Sequence, residues 1–202
     1  PDHAPAPAAP ARHSLHDPPA TKPAPSRRRR PADDPRTLEN FVVGRCNRLA
    51  FEAARRVAED DTATGACPLF LYGPCGVGKT HLLTAAARRF TERFPDARVR
   101  VLSAEAFTNE YIGSLRAGKI ESFHRAYRKI DMLCIDDVHF LSKKSGTQNE
   151  LLHTFDALDL RGSRLVLASD NHPRQIKAFS GALVSRFVSG SITRLEPPDE
   201  DT

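Results

Sequence analysis

An apolar run, Pro68-Leu69-Phe70-Leu71-Tyr72, leads directly into Gly73-Pro74-Cys75-Gly76-Val77-Gly78-Lys79-Thr80, which fits the pattern G-x-x-x-x-G-K-[ST]. A buried strand, a glycine-rich turn and a helix opening near Lys79 leave few folds open, because the strand needs a sheet and the helix must pack back across it. Glycines 73, 76 and 78 let the backbone turn sharply with several N–H groups pointing inward, and the helix adds its positive dipole end. That cradle suits the oxygens of a nucleoside triphosphate. Lys79 would neutralise the β and γ phosphates, and the Thr80 hydroxyl would join the shell of a magnesium ion. Val77 within the loop and His81 just after it are counted with the binding residues. A glycine-rich turn carrying a chance lysine is the plainer reading, but the strand before it and Leu82-Leu83 after it favour the phosphate loop.

The rest of the chain supplies the sheet. Residues 79 to about 94 read as a helix with Leu82, Leu83, Ala86 and Phe90 on one stripe. Residues 99–102 follow as a strand, and 104–115 as an amphipathic helix with Phe107, Tyr111 and Leu115 at steps of four. A short helical stretch at 120–128 precedes an apolar strand at 132–135. Residues 147–160 are helical again on Leu151, Leu152, Phe155 and Leu158, then 164–168 form a strand before Pro173 breaks the chain. Apolar strands alternating with helices predict an α/β fold, an open parallel sheet covered on both faces, with ligand at the strand C-termini.

Asp136-Asp137 follows the strand at 132–135 and so falls on that same edge. Asp136 would order a metal-bound water and Asp137 would polarise the water attacking the γ phosphate; an Asp pair capping a helix is the alternative. Ser169-Asp170-Asn171 ends the strand at 164–168 in the same way, and Asp170 is taken as the side chain reaching the γ phosphate, although a turn into Pro173 equally favours Asp and Asn. Arg186, placed after a short apolar helix, is either a surface ion-pair partner or a finger reaching a neighbour's nucleotide.

At 202 residues with 40% apolar content, the chain can bury one core. Its first 36 residues stand apart, with ten of the sixteen prolines, the run Arg27-Arg28-Arg29-Arg30 and hardly a bulky apolar side chain, a composition expected to be disordered. Seven Lys and Arg against four Asp put about +3 of the formal +5 there, so net charge says little about residues 37–202. The arginine run reads first as a solvated linker, with contact to nucleic acid or an acidic surface as the other reading. Cys46, Cys67, Cys75 and Cys134 show no C-x-x-C pairing and no histidines at metal-ligand spacing, which points to a reducing, cytoplasmic home. Cys75, inside the loop at a helix N-terminus, is read as a small side chain rather than a reactive thiol. No leader and no apolar run approaching eighteen residues supports secretion or a membrane span. A start at Pro1 and an end at Asp201-Thr202 read as a fragment.

With these elements in order, residues 37 to about 199 resemble the AAA+ ATPase domain of the bacterial DnaA replication initiators. The resemblance rests on Thr37-Leu38-Glu39-Asn40-Phe41-Val42-Val43-Gly44 with Asn47-Arg48-Leu49-Ala50, on the phosphate loop with His81-Leu82-Leu83, and on Phe107-Thr108-Asn109. Ile135-Asp136-Asp137-Val138, His153-Thr154-Phe155, Ala168-Ser169-Asp170 and Ser185-Arg186-Phe187 extend it. It implies a P-loop AAA+ core on a five-stranded parallel sheet, with ATP or ADP and magnesium as cofactors. It places Val42, Val43 and Asn47 against the adenine, Asp136 and Thr80 at the metal, and Arg186 as the finger. It also implies an extra helical segment at 104–128 that skews an assembly into a filament and helps hold single-stranded origin DNA, with Ile112 and Lys144 at that surface. The pattern departs at Gly146 and Ala182, where arginines are usual, and at His139, where glutamine is usual. The Pro-rich arm resembles the family's variable linker. Glu196-Pro197-Pro198-Asp199 resembles the entrance to a helical lid that this chain lacks, together with the helix-turn-helix that reads duplex boxes. A helicase or its loader and, by resemblance alone, acidic lipids complete the expected partners.

The expected function is an ATP-dependent initiator whose ATP form assembles on origin DNA and whose slow hydrolysis resets it. A helicase loader or regulatory paralogue is the alternative within the superfamily. A small-molecule phosphotransferase would need an arginine lid and an acceptor pocket, and a nucleotide-dependent binding module would lack useful hydrolysis.

Overall fold

The computed structural model describes residues 35–60 and 67–197. The disordered arm expected over 1–36 lies outside the described residues except for Pro35 and Arg36. Five strands, β1 (Leu69–Tyr72), β2 (Val99–Ser103), β3 (Met132–Asp136), β4 (Arg164–Ser169) and β5 (Ser191–Arg194), run parallel in the order β2-β3-β4-β1-β5. The central strands read as unbroken apolar runs because both of their faces are covered. Met132 and Cys134 of β3 and Val166 and Ala168 of β4 point into one core, and their neighbours Leu133, Ile135, Leu165 and Leu167 into the other.

Two helices fill the first core. In α1 (Arg48–Glu59), Ala50, Ala54 and Ala58 form a buried stripe of small side chains at helical spacing, which brings the helix close against α2 (Lys79–Arg93). Leu82, Leu83, Ala86 and Phe90 of α2 face the sheet as the periodicity predicts. The second core is covered by α3 (Ala104–Arg116), α4 (Ile120–Tyr127), α5 (Ser145–Asp159) and α6 (Gly181–Val188). Phe107 is buried and Tyr111 partly so, but Leu115, assigned to the same stripe, is 49% exposed in the last turn of α3. Helix α5 starts two residues before the expected 147 and ends before Leu160, which is exposed. The α3–α4 hairpin is held by side chains no periodicity reveals. The Arg100 guanidinium pairs with Glu110 at 2.5 Å, and the Tyr127 hydroxyl donates to Glu110 at 3.0 Å.

Parallel pairing aligns the strand ends that matter: Tyr72 lies opposite Ser169, and Ile135 opposite Leu167, so the chain leaves β1, β3 and β4 on one edge. Strand β4 stands between β3 and β1, which sets Asp170 between the phosphate loop and the Asp136-Asp137 pair. At the start of the loop, a Cβ on residue 73 would lie 2.1 Å from the Leu195 carbonyl oxygen, a backbone atom fixed by the 2.7 Å bond from Leu195 N–H to the Tyr72 carbonyl. Gly73→Ala is therefore expected to destabilise the domain by about 3 kcal/mol or more, read as a lower urea midpoint. A midpoint equal to the parent's would mean that Leu195 moves aside freely.

Candidate nucleotide site

Lys79, Asp136, Asp137 and Asp170 converge at this edge. Lys79 opens α2 after Gly78, whose φ of +94° is left-handed and whose missing side chain leaves room for the Phe41 ring, 3.0 Å from where a Cβ would be. The Lys79 side chain is 6% exposed; its ammonium donates to the Gly73 and Pro74 carbonyls at 2.8 and 2.7 Å and pairs with Asp170 Oδ1 at 2.8 Å. Such a nearly buried cation needs all of these partners, and phosphate oxygens could replace them without leaving it bare.

The Thr80 hydroxyl donates to Asp136 Oδ2 at 2.5 Å, while Asp136 Oδ1 accepts the Asp137 backbone N–H at 2.9 Å. A hydroxyl and a carboxylate meeting at a phosphate loop are the hard oxygen ligands that magnesium takes, so the residues fit that ion. Asp137 adopts left-handed φ of +55° and turns the chain into a 3-10 segment, Val138–Leu141, without capping it through its side chain, so capping does not account for the aspartate. Burial, and then the neighbouring Asp136 carboxylate, raise the Asp137 pKa, with His139 opposing them. His139, noted in the sequence only as a replacement, stands with Nε2 3.8 Å from Asp170 Oδ2 and with a buried, unpartnered Nδ1. No sequence pattern signals that contact.

The segment before α1 lies near the loop. Asn47 is buried and fastens the preceding turn, its Nδ2 donating to the Val42 carbonyl at 3.0 Å and its Oδ1 accepting the Gly44 N–H at 2.9 Å. Val42 and Val43 remain 65% and 38% exposed, and an apolar pair left in solvent beside the site is free to cover a flat ring. His81 Nε2 lies 2.9 Å from the Thr37 carbonyl, and its ring meets Phe41 edge-on at 5.3 Å. Gly76 and Cys75 are exposed at the loop tip, and Val77 is half-buried.

Three expected residues stand apart from this cluster. Arg186 lies within the last turn of α6 rather than after it, where its Nη2 meets Asp156 Oδ1 at 2.8 Å and its guanidinium lies 5.6 Å from the Phe155 ring. Ile112 on α3 is 36% exposed, and Lys144 is exposed at the start of α5.

A phosphate loop on β1, carboxylates on β3 and a polar residue ending an intervening β4 define a P-loop nucleotide-binding protein of the AAA+ type. The sequence signature described as the bacterial DnaA ATPase domain matches residues 33–194, and the chain belongs to that family. It is 45% identical over 167 residues to the chromosomal replication initiator protein DnaA of Thermotoga petrophila, a match covering 82% of this chain and 38% of the relative. The chain thus spans about two fifths of the length of that curated relative. Domain III of the Thermotoga maritima replication initiation protein DnaA superposes with a TM-score of 0.80 at 44% identity, covering 83% of this chain and 70% of that one. A replication initiator DnaA bound to AMPPCP and single-stranded DNA gives 0.77 at 40% identity, covering 82% of this chain and 51% of that one.

Proposed function

We propose that the chain is the ATP-controlled assembly module of a bacterial replication initiator. The observation that carries this reading is the split between a complete binding cluster, Lys79 with Asp136, Asp137 and Asp170, and an arginine, Arg186, that is held elsewhere by Asp156. One protomer binds ATP, and Arg186 of the next completes its site.

On binding, the Lys79 ammonium exchanges the Gly73 and Pro74 carbonyls for the β and γ phosphate oxygens, and the loop N–H groups take the remaining oxygens. Val42 and Val43 cover the adenine while Asn47 keeps their turn in place. Thr80 and Asp136 would hold magnesium, which when bound neutralises charge on the β and γ oxygens. Asp137 accepts a proton from the water that attacks the γ phosphorus as the bond to the β-phosphate oxygen breaks, leaving ADP and inorganic phosphate. Asp170 orients that end of the nucleotide from β4. Turnover is slow because Arg186 arrives only on assembly.

The 104–128 hairpin, with Ile112, and Lys144 hold single-stranded origin DNA, consistent with the single-stranded DNA in the related initiator structure. Recognition of duplex boxes and contact with helicase, loader or acidic lipid belong to the whole initiator. No helix among the described residues is long and apolar enough to cross a membrane, and cytoplasmic action at the nucleoid is part of the proposal. The direct test is titration of ATP with magnesium by calorimetry. Lys79→Ala is expected to weaken binding at least tenfold, since hydrogen bonds to charged groups contribute about 1.5–3 kcal/mol. Equal affinity in parent and variant would remove the cradle assignment.

A further inference from the structure

Outside the nucleotide site, a group of cations lies at the C-terminal end of α4 and just past α5. Arg125, Arg128 and Lys129 are exposed, and their side chains have no partner among the described residues. Arg161, just past α5, joins them and approaches only Asp131, at 3.9 Å. The four line a concavity of about 310 Å³ with Glu121 as the one carboxylate. Arg128 is shared with a second concavity of about 250 Å³ between α4 and α5, where His153 and Thr154 add polar groups and the buried Glu150 is taken up by His124 at 3.1 Å. The two adjoin at Arg128 and form a trough whose cationic part is the first concavity.

We infer that this trough binds the phosphate backbone of duplex DNA without reading its sequence. Arg125 in the last turn of α4 and Arg128 at its C-cap stand three apart, about 5–6 Å, and Lys129 follows in the turn, an array of free cations able to follow successive phosphates. Single strands are gripped through exposed aromatic rings as well as charge. Here Tyr127 is buried with its hydroxyl on Glu110 and His124 is taken up by Glu150, so among the lining rings His153 alone is exposed and charge dominates the surface. A lipid surface would need several apolar side chains beside the charges; Phe123 and Tyr127 of α4 face the core, which leaves Leu160 beside Arg161 as a single exposed one. The trough shares Arg125 and Arg128 with the 104–128 hairpin but lies away from Lys144. At about 1.5 Å per residue, α5 carries the chain roughly 14 Å from Lys144 to His153.

The test is fluorescence anisotropy of the 202-residue chain with a labelled duplex of arbitrary sequence between 50 and 200 mM salt. The triple change Arg125→Gln, Arg128→Gln, Lys129→Gln is expected to flatten the slope of log affinity against log salt by about 2–3, near 0.9 per lost phosphate contact. An unchanged slope overturns the inference. So does a loss confined to an oligo-dT strand or to acidic vesicles, with duplex binding intact. Should the triple variant melt early, Lys129→Gln alone is expected to flatten the slope by about 1. Lys79→Ala is expected to bind the duplex as the parent does, so failure of the trough and failure of the nucleotide site read out separately.

Discussion

Arg186→Ala is expected to bind ATP as tightly as the parent, to lose ATP-dependent multimers, and to show assembly-linked turnover reduced about a thousandfold. The first part follows from where the side chain lies. Arg186 sits on α6 against Asp156 and Phe155, apart from Lys79 and its carboxylates, so its removal leaves the binding cluster whole. The second follows from its chemistry. A guanidinium has five N–H donors in a rigid fork, and Asp156 engages it through Nη2, leaving donors for a neighbour's γ phosphate. The pair is roughly half exposed, so the folding energy lost with it is small, about 0–1 kcal/mol. Sedimentation with ATP, together with phosphate release at rising protein concentration, checks both parts. Multimers that persist with normal turnover would remove the finger role.

Asp137→Asn is expected to leave ATP binding in place and to lower phosphate release about 100-fold or more, the usual contribution of a positioned base. It separates an ATPase from a nucleotide-dependent binding module, since unchanged release would leave Asp137 without a catalytic part. The same substitution carries a stability signature of opposite sign. Burial and the neighbouring carboxylates raise the Asp137 pKa in the fold, so the folded state holds this proton more tightly than the unfolded state. Stability from this group is complete below the ordinary aspartate value of about 3.9 and is lost as pH rises through the higher folded value. At neutral pH the ionised Asp137 is therefore a destabilising charge. The amide that replaces it does not titrate, so the Asp137→Asn variant is expected to melt higher than the parent at pH 7, with the difference closing in acid. A lower melting temperature at pH 7 would contradict the cause assigned to the shift.

The central sheet was legible in the sequence because burial on both faces leaves continuous apolar runs, as at Leu69-Phe70-Leu71 and Leu165-Val166-Leu167. The carboxylates were legible because each directly follows such a run. Asp136 closes β3 and Asp170 follows β4, so the chain order of strand and acid already fixed the edge on which they meet. Strand β5 was not visible in this way: Ser191 and Arg194 are exposed, and the alternation over four residues is too short to stand out. Helix α1 escaped because its buried stripe is alanine, which marks close packing rather than hydrophobicity. The approach of His139 to Asp170, the Arg186–Asp156 pair and the Arg100–Glu110–Tyr127 group join positions far apart in sequence through side-chain geometry alone. Periodicity carries no record of such contacts.

The missing side chain at residue 73 has a mechanical meaning. With the Leu195 carbonyl close to the glycine and its N–H tied to Tyr72, the path by which the polypeptide departs from β5 abuts the start of the phosphate loop. Displacing the backbone at Leu195 is therefore expected to shift Gly73 with it, because close packing leaves little room for one to move without the other.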